Sequence, residues 1–202
     1  MSASNVFSEY ELRRMGIKFP NDSEYQSADC VGSCEEELET RMVTKKCRGM
    51  VAKIRVKGSG NGTLNITMHV PKNIYDEMYG MKMDGLIEGV RAYGQNSTHP
   101  EFGITQEVFD EDGNVKFKAY PRCIMKSGVK RKIENGTEEV AEMELEVSVM
   151  PDDMGNGMYE ALDSDLKDET AKSNWMTAFT PDMVKAKSAS GALEEGAEVP
   201  EV

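Results

Sequence analysis

The strongest constraint on this chain is an alternation of apolar and polar residues with a period of two. From Thr63 to Val70, Leu64, Ile66, Met68 and Val70 fall on one side of an extended backbone, and Thr63, Asn65, Thr67 and His69 on the other. From Val140 to Val149 the pattern sets Met143, Leu145, Val147 and Val149 against Glu142, Glu144, Glu146 and Ser148. Side chains alternate faces along a strand but recur every 3.6 residues on a helix, so both segments read as half-buried strands. Met42–Lys57 extends the pattern, with Met50, Ala52, Ile54 and Val56 on one face and Val51, Lys53, Arg55 and Lys57 on the other.

Turn chemistry divides these runs. Gly58-Ser59-Gly60-Asn61-Gly62 predicts a hairpin loop between Met42–Lys57 and Thr63–Val70, and Asp110-Glu111-Asp112-Gly113-Asn114 predicts another between Phe102–Phe109 and Val115–Met125. Ile87–Tyr93 is a further strand candidate. One helix interrupts the strands: Pro71 suits its first turn, Ile74, Tyr75, Met78 and Tyr79 form an apolar stripe, and Gly80 ends it. That helix is expected to cover one face of the sheet. Ser8 followed by Glu11 reads as a capping box and Gly16 as a stop, which predicts a short helix within residues 1–19. Residues 20–37 are a polar, acidic linker. Residues 158–185 read as partly helical, with Met158, Leu162 and Leu166 four apart and a restart at Thr180-Pro181. The domain reading is an N-terminal arm and linker over 1–40, a β domain with flanking helices over 41–185, and a disordered tail over 186–202, too poor in apolar residues to fold alone.

Charge narrows the function. The formal net charge of −12 argues against tight nucleic-acid binding, which needs clustered cations to displace counterions. The charge is segregated, however. Residues 41–57 hold Arg41, Lys45, Lys46, Arg48, Lys53, Arg55 and Lys57 and no acid, residues 115–133 are likewise basic, and acids dominate from Glu134 onward. A chain with its signs segregated can be complementary to a copy of itself. The sequence shows no apolar run long enough to span a membrane, and Met1–Asn5 has neither the basic start nor the apolar segment of a signal peptide, so maturation in a cytoplasm is expected.

Reactive residues are few. His69 falls on the polar face of a strand and His99 in a Ser-Thr-His-Pro turn, which offers no nucleophile–base pair. Asp110, Asp112 and Asn114 have calcium-loop spacing, but Val115 and Pro121 stand where that loop needs Gly and Glu. Cys30, Cys34, Cys47 and Cys123 lack the paired spacing of a zinc site and read as ordinary reduced thiols. No catalytic, cofactor-binding or metal residue is therefore expected, and the chain is not expected to be an enzyme. An open sheet must still cover or pair its outer strands, and a contact between copies is one way to do so.

In this order of motifs the chain resembles the major tail tube proteins of long-tailed bacteriophages. The resemblance runs through Gly62–Pro71, Ile74-Tyr75, Tyr79-Gly80-Met81, Gly89–Gly94, Glu107–Val115, Ala119-Tyr120-Pro121, Glu134-Asn135-Gly136, Glu139–Leu145 and Val149–Asp152, and covers about residues 40–180. It implies a mainly β, sandwich- or barrel-like subunit with a flanking helix. Six copies form a ring, and rings stack into a hollow tube around a tape-measure protein that conducts DNA into the host. The implied partners are copies of the chain, the tape-measure protein, the tail terminator and the distal tail proteins, with DNA passing non-specifically and no membrane contact. The implied location is the virion tail, assembled in the bacterial cytoplasm. Within that frame Lys45, Lys46, Arg48, Lys53, Arg55 and Lys57 are candidate ring-stacking residues, meeting acids such as Glu35, Glu36, Glu37 and Glu39 of a neighbour. Glu142, Glu144 and Glu146 are candidate lumen residues, because cations facing the channel would hold the phosphates that must slide past. Two alternatives stand beside this reading: a stand-alone β-sandwich binding or decoration module, and the tube protein of a contractile or bacteriocin-like injection system.

Overall fold

A computed structural model describes residues 6–82, 85–136 and 138–186. The predicted tail at 186–202 therefore lies, beyond Ala186, outside the described residues. Among the described residues, eight strands and two helices follow in the order β1 Glu11–Lys18, β2 Gln26–Ser27, β3 Val31–Cys47, β4 Met50–Met68, α1 Lys72–Met78, β5 Phe102–Phe109, β6 Val115–Met125, β7 Met143–Val149, β8 Tyr159–Leu162 and α2 Glu169–Ala178, with a short 3-10 turn at Pro181–Val184. The fold is mainly β, as the alternation requires.

All the strands join one antiparallel sheet in the order β2-β1-β5-β6-β7-β4-β3. β6 gives one edge to β5 and divides the other: Lys116–Ala119 pair with β8, and Cys123–Met125 pair with β7. Pro121 sits at the division, where it has no N–H to offer and the β5–β6 register shifts between Phe102 and Ile104. The sheet curls until β1 and β3 approach one another without pairing. Met15, Ile17, Leu64, Ile66, Ile104, Tyr120, Leu145 and Val147 are buried inside the curl, and Ile74 and Met78 of α1 close it. α2 buries Trp175 and Met176 on the opposite face against Phe117, Ala119 and Phe179. The Trp175 indole donates to the Lys118 carbonyl at 3.2 Å, and the Asp168 side chain caps the helix through the Thr170 and Ala171 amides.

Several expectations are met. β5, β6, the Asp110–Asn114 turn between them, α1 and the Thr180-Pro181 restart fall where the sequence places them. Others are corrected. Residues 11–18 form β1, not a helix: Met15, Ile17 and Phe19 alternate with exposed or small neighbours, and burying all three outweighs one local capping signal. With β2 and the start of β3, that strand makes residues 11–37 part of the body, and β3 runs straight through the boundary expected at 40. Ile87–Tyr93 is irregular chain rather than a strand, and Tyr159–Leu162 is a strand rather than a helical turn.

The Gly58–Gly62 stretch is not a hairpin loop. β4 runs through it, and the reversal comes earlier, at Arg48-Gly49, with φ values of 51° and 81°. Two successive positive φ angles make the two-residue turn whose twist matches the flanking strands. Opposite Glu39, β4 carries extra residues between Gly58 and Gly62, so the glycines form a bulge. The Ser59 hydroxyl ties the bulge down by donating to the Glu39 carbonyl at 3.2 Å and accepting from the Asn61 amide at 3.1 Å. A side chain at Gly60 would collide with Pro151 and the Gly155 carbonyl.

Candidate assembly interface

Beyond that bulge, β3 and β4 leave the body together. Residues from Leu38 to Lys57 are exposed throughout, on both faces of the ribbon. At ~3.3 Å per residue the part from Thr40 to Cys47 reaches about 25 Å past the body. The ribbon holds its form through the Arg48-Gly49 turn and the β-branched Val43, Thr44, Val51, Ile54 and Val56, which favour extended backbone.

Register fixes what each face carries, since residues paired across strands share a face. Met42 lies opposite Val56 and Thr44 opposite Ile54. This face is apolar, and Met42, Ile54 and Val56 are 65%, 54% and 56% exposed. The other face pairs Arg41 with Lys57, Val43 with Arg55 and Lys45 with Lys53; past a register shift, Lys46 pairs with Val51 and Cys47 with Met50 at the tip. Like charges directly opposite destabilise a ribbon standing alone. The structure thus collects all six predicted stacking cations on one arm: Lys45, Lys53, Arg55 and Lys57 on the basic face, and Lys46 and Arg48 at the tip. The apolar face is what the sequence misplaced. Its alternation promised a buried side, and the body does not supply one.

The predicted lumen residues also share a surface. Three rows cross β3, β4 and β7 on the side away from the core: Ser33–Thr67–Glu144, Glu35–Asn65–Glu146 and Glu37–Thr63–Ser148. Glu144 and Glu146 alternate with buried Leu145 and Val147, as predicted. Glu142 lies just before β7 and turns its carboxylate toward Gly32. The structure adds Glu35 and Glu37, which the sequence had assigned only as partners for the basic stretch. Glu146 pairs with Lys126 at 2.9 Å, and that hydrogen bond holds its carboxyl below the usual range.

Glu36, by contrast, is not free to meet a neighbour. It points to the core side, where the Lys118 ammonium lies 2.7 Å away and the Tyr120 hydroxyl donates at 2.9 Å. Glu9 reaches the same ammonium at 2.8 Å from the N-terminal strap. Burial alone would lower the Lys118 pKa, but the two carboxylates outweigh it and raise it. Burial and the Glu36 charge together push the Tyr120 phenol well up. A lysine in an alternating strand carried no sign that it would be buried, and Glu9 is remote in sequence, so this network was not legible beforehand.

The cysteines lie apart. Cys30 and Cys47 are exposed, Cys34 accepts from the Gln106 amide at 3.3 Å, and Cys123 is in the core. Among the described residues, no helix is long and apolar enough to cross a membrane. No family model matches the chain, and no curated protein does. Among solved structures it is similar to the cap that terminates the tube of an anti-feeding prophage, at 9% identity, over 80% of this chain and 98% of that one, with a TM-score of 0.45.

Proposed function

We propose that the chain is a structural, non-enzymatic subunit that associates head-to-tail with its own copies, in hexameric rings that stack into the hollow tail tube of a long-tailed phage. The observation that carries this reading is the arm. A two-stranded ribbon alone is marginal in water, and this one exposes an apolar face and a row of like-charged pairs. Both faces call for a partner, and a second copy has an acidic surface to offer the basic one. Among the described residues β3 pairs only with β4, so its other edge also remains open to a neighbouring strand. The motif order described above supplies the tube geometry, with the tape-measure protein inside and terminator and distal tail proteins at the ends. In that geometry the Glu35, Glu37, Glu144 and Glu146 surface suits the lumen, where carboxylates would repel passing phosphates.

Electron microscopy with light scattering across a wide concentration range tests the reading. Rings and stacks that lengthen with concentration are expected. A single ring at every concentration would instead describe a protein that closes a tube end. A monomer throughout would leave only a stand-alone binding or decoration module.

A further inference from the structure

The arm, the Pro151–Gly155 loop and Lys185 all lie toward one end of the body. The Gly60 backbone packs against Pro151 and Gly155, and Lys185 senses the charges of Asp152 and Asp153. The other end, past Met68, carries α1 and the two long loops that follow α1 and β6. There a cleft of about 480 Å3 opens over an apolar floor of Val70, Tyr75, Met81 and Met143.

Three cations, Lys72, Arg91 and Arg131, surround that cleft, and the first two share one carboxylate. Lys72 Nζ and Arg91 Nε lie 2.7 and 2.9 Å from the same oxygen of Asp76, which is 4% exposed. Burial by itself would raise the Asp76 carboxyl, yet the two cations hold it below its ordinary value. Arg131 spends its guanidinium on an aromatic ring: Nε donates to the Tyr75 hydroxyl at 3.2 Å, and the group lies 4.9 Å from the ring centroid. Ile87 and Ile133, close in sequence to the lining residues Gly89 and Arg131, are 81% and 87% exposed. In a chain of net charge −12, this is a cationic pocket with an apolar floor and apolar neighbours. It fits an acidic segment that also carries aliphatic side chains.

One segment outside the described residues combines carboxylates with aliphatic side chains in this way. Residues 187–202 include Leu193-Glu194-Glu195 and Glu198-Val199-Pro200-Glu201. They follow Lys185 and Ala186, at the end of the body opposite the cleft. The stretch of β4 between the two ends, Gly62–Met68, spans roughly 20 Å. Copies related head-to-tail bring the end that carries this segment against the end that carries the cleft. We infer that the Lys72–Arg91–Arg131 cleft binds the acidic segment 187–202 of the next copy. The inference rests on the head-to-tail association proposed above, and it adds a second tie between copies alongside the arm.

A fluorescently labelled peptide of residues 187–202, titrated with the full-length protein at a concentration where single subunits dominate, tests it. Saturable binding is expected, weakening with salt because exposed charges are screened. It should weaken about tenfold with Arg131→Glu, as losing one charge-assisted contact allows. A peptide carrying Glu194→Lys and Glu195→Lys should bind the native protein poorly and recover affinity for the Arg131→Glu protein, a result that misfolding cannot produce. Absence of saturable binding, or equal affinity for both proteins, overturns the inference. Deleting residues 188–202 should leave peptide affinity unchanged; a rise would mean that the chain's own segment fills the cleft and would overturn the assignment to the next copy. Polymers that form while the peptide fails to bind would sink this inference alone. A peptide that binds a protein which never polymerises would uphold the contact and sink the tube.

Discussion

Replacing Ile54 and Val56 with serine separates what the arm does for the subunit from what it does between subunits. Burying such a side chain completely is worth about 1.5–3 kcal/mol. Ile54 and Val56 are 54% and 56% exposed in the subunit, so about half of their surface is still available to a partner. That leaves ~1 kcal/mol each, or ~2 kcal/mol per docked arm, equivalent to a rise of roughly 30-fold in the concentration needed for assembly. Within the dilute subunit the same change removes almost no packing, and surface substitutions of this kind stay within about 0.5 kcal/mol each. Ile54→Ser with Val56→Ser is therefore expected to leave the urea midpoint of the dilute subunit nearly unchanged while raising the assembly threshold by more than an order of magnitude. Sedimentation across a dilution series reads the threshold, and circular dichroism reads the midpoint. Polymerisation at the native concentration would refute the argument, because the apolar face would then have no partner in the assembly.

The thiols give a second readout of the arm: maleimide should label Cys47 and Cys30 rapidly in the dilute subunit, spare Cys123, whose thiol burial pushes up, and lose Cys47 selectively on assembly. Equal Cys47 labelling in both states would place the arm tip in solvent. Assembly that pairs the basic face with carboxylates should slow as ionic strength rises past the point where the screening length is ~8 Å; a rate indifferent to salt would leave only the apolar face in the contact. Glu142→Lys, Glu144→Lys and Glu146→Lys together should preserve assembly and slow DNA passage, whereas failed assembly would put that surface in a subunit contact. Burial would raise the Glu9 pKa, but Lys118 and Lys116 outweigh it and lower it below 4.5. The stabilisation it gives is therefore present above about pH 4.5 and is lost as pH falls through the lower folded value. Hydrogen exchange in residues 6–10 should rise over that acid range and lose this pH dependence in Glu9→Gln.

How much of this was legible depended on whether local and tertiary signals agreed. At β5 and β6 they did: alternation, aromatic content and an Asp-Gly turn all indicated one hairpin, and it formed with the expected bounds. At residues 8–16 they did not, because the capping pair spoke for a helix while Met15, Ile17 and Phe19 spoke more quietly for a strand. The glycines at 58–62 predict a hairpin loop where the structure has a bulge, because a bulge and a turn share that composition. The true turn, Arg48-Gly49, was hidden by an arginine at positive φ, which sequence propensity disfavours. The candidate stacking cations were legible as a charge run, and their gathering onto one ribbon follows from register. The apolar face was legible as a pattern, but period two cannot tell a core from a surface awaiting a neighbour.

The bulge at Ser59–Asn61 has a mechanical consequence. It makes the arm a lever rooted in a short, irregular joint while both its strands stay paired beyond. A ~25 Å lever swinging by ~10° carries its tip about 4 Å, less than one strand spacing. Copies joined through such levers can tilt against one another without breaking the docked contact, so a filament built from them would bend at every joint by a little instead of at one joint by a lot. Stiffness would then reside in the Ser59 hydroxyl and the Pro151–Gly155 loop that brace the root, and shortening the bulge would straighten the filament before it weakened it.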